Sequence, residues 1–243
     1  MLSLRHHPFA VEARLARTTV LTYAAPAAAL QPLLPECLTL DTLGEWGFVA
    51  VAMVQTRQLR PRGLPAWLGQ NFFLIGYRLL VRYRSAAGKR LRGLYILRSE
   101  TDQRRMTLLG NLLTGYRYHT VDIGQEQRGP EQRIFSAQTG LDVRIWEAAE
   151  AALPPGSPFA DWTQARRYAG PLPFTFSYDA AAGQVTIVQG RREFWTPRPV
   201  QVLAAQVPLV EQLPGPPQLA SAFVTDDIPY HWQKGRREAW TGH

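Results

Sequence analysis

The amino-acid sequence predicts a mainly β fold of the α+β class, in which strands close into a barrel around a pocket. The main observation is the stretch at residues 71–122, where two long strand patterns, FFLIGYRLLVRYR and RLRGLYILRS, flank a hairpin turn. A short helical pattern, TDQRRMTLLGNLL, and a further strand, GYRYHTVD, follow. The 19 glycines and 19 prolines suit many short strands joined by turns.

Two strand patterns precede that stretch. RTTVLTY at residues 17–23 alternates and is rich in β-branched residues, and WGFVAVAMVQT at residues 46–56 is apolar almost throughout. Between them, Pro26 and the alanines behind it predict a short helix. The Pro- and Gly-rich segment at residues 57–69 is either a loop over the mouth of the pocket or a plain connection.

The strand that begins after Asn71 has two faces of different chemistry. One face carries no formal charge, and the other carries arginines. We therefore expect the uncharged face to line the interior of the barrel. The uncharged face holds Phe73, Ile75, Tyr77, Leu79, Val81 and Tyr83, and the charged face holds Leu74, Gly76, Arg78, Leu80, Arg82 and Arg84.

The second half of the chain continues with short strand patterns separated by turns. Examples are QRIFSAQTG, LDVRIW, LPFTFSYD and QVTIVQGRREFW. No segment repeats at a period of roughly 20–50 residues, which excludes a solenoid or propeller. No linker divides the chain either, so we expect one domain over residues 1–243.

Composition limits the classes of function. The formal net charge is +8, but the 27 basic residues are spread along the chain, whereas nucleic-acid binding requires a concentrated stripe. The single cysteine, Cys37, excludes an internal disulfide and suits a reducing compartment. The longest apolar run is too short to cross a bilayer, and the N-terminus lacks a signal-peptide core. We expect a cytoplasmic protein with no nucleic-acid and no membrane partner.

The sequence lacks the motifs of the common enzyme classes. Its five histidines show no metal-ligand spacing. There is no Gly-x-Ser-x-Gly, no phosphate-binding glycine loop and no dinucleotide fingerprint. We therefore expect neither a metal nor a cofactor.

One group of polar residues is a candidate ligand site. It lies where one strand ends and the next begins, and the helix between them reverses the chain so that both ends meet at one mouth of the barrel. An arginine there can hold a carboxylate through paired hydrogen bonds, and a tyrosine can donate to a carbonyl. The alternative is a surface ion pair beside packed aromatic rings. The predicted ligand-binding residues are Tyr77, Arg98, Glu100, Tyr116, Arg117 and Tyr118.

The order of several segments resembles a known family. TYAAPAAALQPLLPECLTLDT, WGFVAVAMVQT, LYILRSETD and GNLLTGYRYH follow the order seen in bacterial DUF2071 (YqjF-like) proteins, and RRYAGPLPFTFSY, REFWTPRPV and FVTDDIPYHW look like the C-terminal elements. That family resembles the acetoacetate decarboxylase superfamily. The resemblance implies a closed, cone-shaped antiparallel β-barrel of acetoacetate decarboxylase-like type, with a few short flanking helices and a central pocket.

A residue essential to the resembled decarboxylases has no counterpart in this chain. Those enzymes form a Schiff base through a lysine in a Pro-Lys-Lys segment, and the matching GYRYH at residues 115–119 contains no lysine. Arginine stays protonated and cannot replace it. The decarboxylases' substrate-binding arginine falls near Ala24, and their acidic residue falls near Ala50 or Val51. The resemblance therefore implies that Schiff-base chemistry is absent.

Two functions fit these observations. The first is a small-molecule-binding β-barrel with a central pocket, for which a carboxylate is a candidate ligand. The second is a lyase-like enzyme acting non-covalently on a small carbonyl or carboxylic-acid metabolite, with Glu100 as base and Arg98 or Arg117 as anion holder. Association into a homo-oligomer through an apolar strand edge stays open. We place binding first, because a fold resemblance does not transfer a reaction whose key residue is missing.

Overall fold

A computed structural model describes residues 6–147, 150–169, 172–240 and 242. The described chain is mainly β, as the sequence predicted. Its strands are β1 (Val11–Pro26), β2 (Leu38–Leu40), β3 (Trp46–Pro61), β4 (Gln70–Arg84), β5 (Arg90–Thr101), β6 (Tyr118–Thr120), β7 (Gly124–Arg128), β8 (Glu131–Ser136), β9 (Leu141–Trp146), β10 (Phe174–Asp179), β11 (Gln184–Arg192), β12 (Arg198–Pro199), β13 (Gln201–Gln206), β14 (Gln218–Trp232) and β15 (Arg236–Ala239).

The helices are few and short, which confirms the expectation from the sequence. Within the described residues none of them is long and apolar enough to cross a membrane. Helix α1 follows Pro26 directly, because proline tolerates the first helical turn. The helices are α1 (Ala27–Leu30), α2 (Arg104–Leu113), α3 (Trp162–Arg166) and α4 (Pro208–Glu211), with 3₁₀ turns at Gln31–Leu33 and Ala66–Leu68.

The strands form two sheets. The larger sheet has the order β12-β14-β1-β3-β4-β5-β10-β11-β15, with β2 paired to β4 and β6 paired to β5. Strand β11 also pairs with β14, from Gly190 opposite Trp232 to Arg192 opposite Tyr230, so the pairings lead from β14 round to β14 again. The smaller sheet has the order β13-β9-β8-β7.

The expectation of a purely antiparallel sheet is wrong at two pairs, both of which involve β5. Residues 93–95 pair in parallel with residues 174–176 of β10, and residues 99–101 pair in parallel with residues 118–120. A parallel partner requires a connection that returns the chain to the end where the first strand began. Helix α2 provides this return before β6, and strands β7, β8 and β9 of the smaller sheet lie with α3 in the connection before β10.

Strand β4 is buried on both faces. One face, which we call the second-sheet face, packs Ile75 and Tyr77 into a core that also contains Ile134 of β8 and Val143 of β9. The opposite face, which we call the cavity face, carries Arg78. Strands covered on both sides read as nearly continuous apolar runs, and β3 and β4 have this character.

Asp41 fixes the position of β4 relative to β5. Its side chain is fully buried and accepts a hydrogen bond from Arg82 at 2.7 Å and another from Arg92. Its backbone N–H donates to the carbonyl of Leu80 at 2.9 Å. The Arg92 guanidinium also lies over the ring of Tyr168, 4.9 Å from its centre. The carboxylate of Asp41 thus joins the segment after β2 to β4 and to β5.

Asp41→Asn is expected to lower the free energy of unfolding by about 1–3 kcal/mol, because the buried group loses charge-assisted bonds to two arginines. The matched control is Asp227→Asn. Asp227 pairs with Arg14, and the side chains of both residues are about half exposed. Solvent screens that pair, so the control should match the wild type in denaturant unfolding. Equal losses in both variants would contradict this assignment.

Candidate functional site

A cavity of about 310 Å³ lies against the cavity face of β4. Strands β1, β3, β4, β5, β6, β10 and β14 line it, together with α2 and residues just before β1. This volume falls within the range of about 300–1,000 Å³ that is typical of small-molecule sites. The lining is mainly apolar and includes Leu15, Val20, Ala52, Val54, Phe72, Leu74, Leu94, Ile96, Met106 and Leu113.

The cavity lies on the face of β4 that the sequence placed outside. Leu74 and Arg78 line it, whereas Ile75 and Tyr77 pack against the smaller sheet. The expectation that the uncharged face lines the interior is therefore wrong. That expectation assumed that only one face of β4 is covered by protein. Strands β8 and β9 bury the second-sheet face, so both faces of β4 are covered and formal charge could not show which face holds the cavity.

Arg78 is a cation without a counter-anion among the described residues. Its Nε is buried and has no hydrogen-bond partner. Among the described residues, the ionisable groups that act on its guanidinium are Tyr230, Tyr118 and Tyr116, and no acidic side chain lines the cavity. Burial lowers the pKa of Arg78, and the three tyrosines partly offset this. Since arginine remains protonated in proteins, the cavity holds an uncompensated positive charge.

Two glycines leave room for the polar groups of the cavity. A Cβ at Gly76 would lie 2.8 Å from Nε of Arg78, and one at Gly190 would lie 2.2 Å from the hydroxyl oxygen of Tyr230. Both distances are too short for a real contact, so a side chain at either position would displace the polar group. Gly76 and Arg78 share a strand face, and this close approach explains why glycine stands there.

Tyr116 and Tyr118 reach the cavity from the turn after α2. The side chain of Asn111 donates to the carbonyl of Tyr118 and accepts from its N–H, both at 2.8 Å. Arg117 between them has a left-handed φ of 53° and an exposed side chain, which donates to the hydroxyl of Tyr95 at 3.4 Å. The turn therefore directs both rings to the cavity and Arg117 to the surface.

The other three predicted ligand residues lie together on the second-sheet side. The Tyr77 hydroxyl donates to Glu100 at 3.0 Å, and Nε of Arg98 lies 2.9 Å from the other carboxylate oxygen. Tyr77 and Glu100 are buried, and none of the three lines the cavity. Burial, followed by the charge of Glu100, raises the pKa of Tyr77. The structure thus separates the predicted set, because Tyr116 and Tyr118 line the cavity, Arg117 lies at the surface and the other three lie outside the cavity.

Residues before β1 close one side of the cavity. The N–H of His7 donates to the carbonyl of Leu113 at 2.8 Å, and the N–H of Gly235 donates to the carbonyl of His7 at 2.8 Å. Phe9 also lines the cavity. Burial lowers the pKa of His7, so its imidazole is neutral at neutral pH. The segment therefore adds no second cation.

The chain's two lysines lie elsewhere. Lys89 and Lys234 are exposed, and neither lines the cavity. Ala24 and Ala50, which the resemblance matched to an arginine and an acid of the decarboxylases, are buried in the core that continues from the cavity. Val51 lies in the core on the opposite face.

Sequence reasoning missed Arg78 and Tyr230. The sequence predicted that the face of the strand carrying Arg78 lies outside the barrel because that face is charged, and Tyr230 lies in IPYHW, which indicates only a final strand. The available signal was the glycine two residues before Arg78 in an otherwise bulky strand. No local signal pointed to Tyr230, because its position follows from the pairing of β14 with β1 and β11.

A family model described as an uncharacterized conserved protein, DUF2071, matches residues 12–234. The chain belongs to the DUF2071 family. The matched range spans β1 to β14 and therefore includes every strand that lines the cavity. No curated protein sequence matches the chain.

The solved structures similar to this DUF2071 protein share its fold. The acetoacetate decarboxylase of Legionella pneumophila has a TM-score of 0.63 and 11% identity, covering 96% of this chain and 88% of that chain. An acetoacetate decarboxylase-like enzyme from Sphingomonas wittichii has a TM-score of 0.60 and 13% identity, with coverage of 97% and 94%. The enduracididine biosynthesis enzyme MppR, complexed with pyruvate, has a TM-score of 0.57 and 11% identity, with coverage of 95% and 90%. Such identities show the acetoacetate decarboxylase-like fold alone.

Tyr118 is expected to make stability depend on alkaline pH. Burial raises its pKa to about 12, whereas an unfolded tyrosine ionises near pH 10. The folded state thus keeps a proton that the unfolded state releases, so its contribution is complete below about pH 10 and is lost as the pH rises towards 12. In Tyr118→Phe, the free energy of unfolding measured with denaturant should therefore fall less steeply between about pH 10 and pH 12 than in the wild type. Identical pH slopes for variant and wild type would contradict the assignment.

Proposed function

We propose that this protein binds a small organic carboxylate in the cavity, with the ring of paired strands acting as a closed barrel wall around it. One observation carries the proposal, which is the partly buried side chain of Arg78, whose buried Nε has no hydrogen-bond partner and whose charge has no counter-anion among the described residues. Removing an ion from water costs about several kcal/mol, and an opposite charge with good hydrogen bonds offsets this cost. A ligand anion would supply that charge.

A carboxylate fits the cavity better than a more highly charged anion. The planar guanidinium matches a carboxylate through paired hydrogen bonds. Arg60 also lines the cavity, but Glu12 already neutralises it at 2.7 Å, and His7 is neutral. A phosphate, with a charge of about −1.5 to −2 at neutral pH, would exceed the single positive charge of Arg78. One positive charge selects a monoanion.

The tyrosines and the apolar lining define the rest of the ligand. Burial raises the pKa of Tyr116, Tyr118 and Tyr230, so their hydroxyls remain protonated donors at neutral pH. They can bond a second polar group, such as a carbonyl or hydroxyl beside the carboxylate. The remaining surface suits an aliphatic or aromatic body. MppR, which has the same fold, is complexed with pyruvate, itself a small carboxylate.

The lining favours binding over acid–base catalysis. Within the described residues the cavity has no carboxylate and no lysine. Glu100, the base considered from the sequence, pairs with Arg98 and Tyr77 away from the cavity. A general base must lie within hydrogen-bond reach of the proton that it removes. Among the described lining residues, the group able to accept a proton is the neutral imidazole of His7, whose Nδ1 lies 3.1 Å from the carbonyl oxygen of Phe9. The cavity therefore provides a cation and hydroxyl donors but no carboxylate or amine base.

The proposal is tested by thermal shift with carboxylic acids and their methyl esters as matched pairs. The set covers short oxo acids, aromatic acids and aliphatic acids. A ligand at about 100 times its dissociation constant adds about 2.7 kcal/mol of stability, which raises the melting temperature measurably. We expect an acid to raise it and the uncharged ester of that acid to have little effect, because only the acid neutralises Arg78.

Three variants locate the site. Arg78→Met should abolish the shift produced by the acid, and Gly76→Ala should weaken it by displacing the guanidinium. Arg98→Met is the matched control, since it removes an arginine that pairs with Glu100 outside the cavity. Each shift is measured against the unliganded form of the same variant. A shift lost in Arg98→Met but kept in Arg78→Met, or no shift from any acid, would contradict the proposal.

A further inference from the structure

Two segments beside the cavity leave large apolar side chains in solvent. In the connection between β3 and β4, Trp67 is 80% exposed. On α2, Leu108 is 71% exposed and Leu112 is 50% exposed. We call these two segments together the rim surface. Its exposed apolar residues are Leu64, Trp67, Leu68, Leu108, Leu109 and Leu112.

Both segments border the same end of the cavity. Leu59, near the end of β3, packs in the same apolar cluster as Met106 of α2. Pro61, the last residue of β3, lines the cavity together with Leu109 and Leu113 of α2. The apolar lining of the cavity therefore continues onto the rim surface.

The exposed charges on the rim surface are mainly positive among the described residues. Arg62, Arg104 and Arg105 are exposed there, whereas Arg57 lies close enough to Asp227 to lower the pKa of that acid. The acid at the start of α2, Asp102, is engaged by the backbone N–H of Phe73 at 2.9 Å. A symmetric contact between two copies would bring the same positive patches together, which is unfavourable. The occupant that complements this surface is both apolar and negatively charged.

We propose that the rim surface docks on an anionic lipid membrane. Exposed Trp and Leu side chains enter the boundary between headgroups and acyl chains, and flanking arginines attract anionic headgroups. The sequence led to an expectation of no membrane partner, because no segment is long enough to span a bilayer, but a surface contact requires no span. Docking places the cavity beside the layer into which apolar acids partition. It does not depend on the carboxylate site.

Co-sedimentation of the full chain with vesicles of phosphatidylcholine, with and without phosphatidylserine, tests the docking. We expect binding to the anionic vesicles that weakens as salt increases. Arg104→Gln combined with Arg105→Gln should weaken it about thirtyfold, at about 1 kcal/mol per basic residue near the surface. Leu108→Glu combined with Leu112→Glu should abolish it. The matched control, Leu203→Glu, replaces a leucine that is 45% exposed on β13 and should bind as the wild type does.

Three outcomes would overturn the docking. They are no sedimentation with anionic vesicles, equal sedimentation with neutral vesicles that the arginine substitutions leave unchanged, and a dimer that Leu108→Glu dissociates while vesicles bind nothing. Arg78→Met should still sediment with anionic vesicles. The failure of the carboxylate site and the failure of the membrane surface are therefore distinguishable.

Discussion

Burial of both faces of the long strands β1, β3 and β4 is the constraint on which the rest of this structure depends. The smaller sheet covers one face, and the cavity and its surrounding core lie on the other. No face is left to solvent along the middle of these strands, so a polar side chain there must be paired within the protein or must meet a ligand. On neighbouring β5 the carboxylate of Glu100 has Arg98 as its counter-ion, whereas the guanidinium of Arg78 on β4 has no counter-anion among the described residues.

Ion pairs attach the smaller sheet and so maintain this double burial. Arg17 of β1 contacts Glu147, which follows β9, and lies 3.0 Å from Asp226 of β14. Arg198 of β12 reaches the same two acids, at 3.1 Å and 2.6 Å. These four side chains balance in charge, and their partial exposure limits what each pair contributes. Their geometry nevertheless fixes where the smaller sheet lies, while the apolar core beneath it supplies most of the stabilisation.

The sequence predicted the strands, the hairpin between β4 and β5 and the short helix before Tyr116, because these depend on local periodicity and turn chemistry. It did not predict which face of β4 holds the cavity. That depends on β8 and β9 packing over Ile75 and Tyr77, a contact between segments far apart in the chain. The parallel partners of β5 were missed for the same reason.

The candidate site was partly predictable from local signals. Tyr116 and Tyr118 were found because they alternate around Arg117 after a helix, and the turn directs them as that pattern indicates. Arg78 was not predicted, because the charged face of its strand was expected to lie outside the barrel. A charge on a strand that is covered on both faces is unfavourable, and this makes Arg78 the most informative residue, since an unfavourable group in a well-packed fold points to a requirement other than stability.

The stability of the unliganded Arg78→Met protein tests the central claim most directly. If Arg78 serves a ligand and contributes no stabilising pair, denaturant unfolding should show the variant to be at least as stable as the wild type, because a buried unpaired charge is replaced by an apolar side chain of similar length. Ile75→Ala, a core truncation on the opposite face, provides the scale, with an expected loss of about 2–5 kcal/mol. A loss of that size in Arg78→Met would show that the guanidinium holds the fold together and would contradict the account.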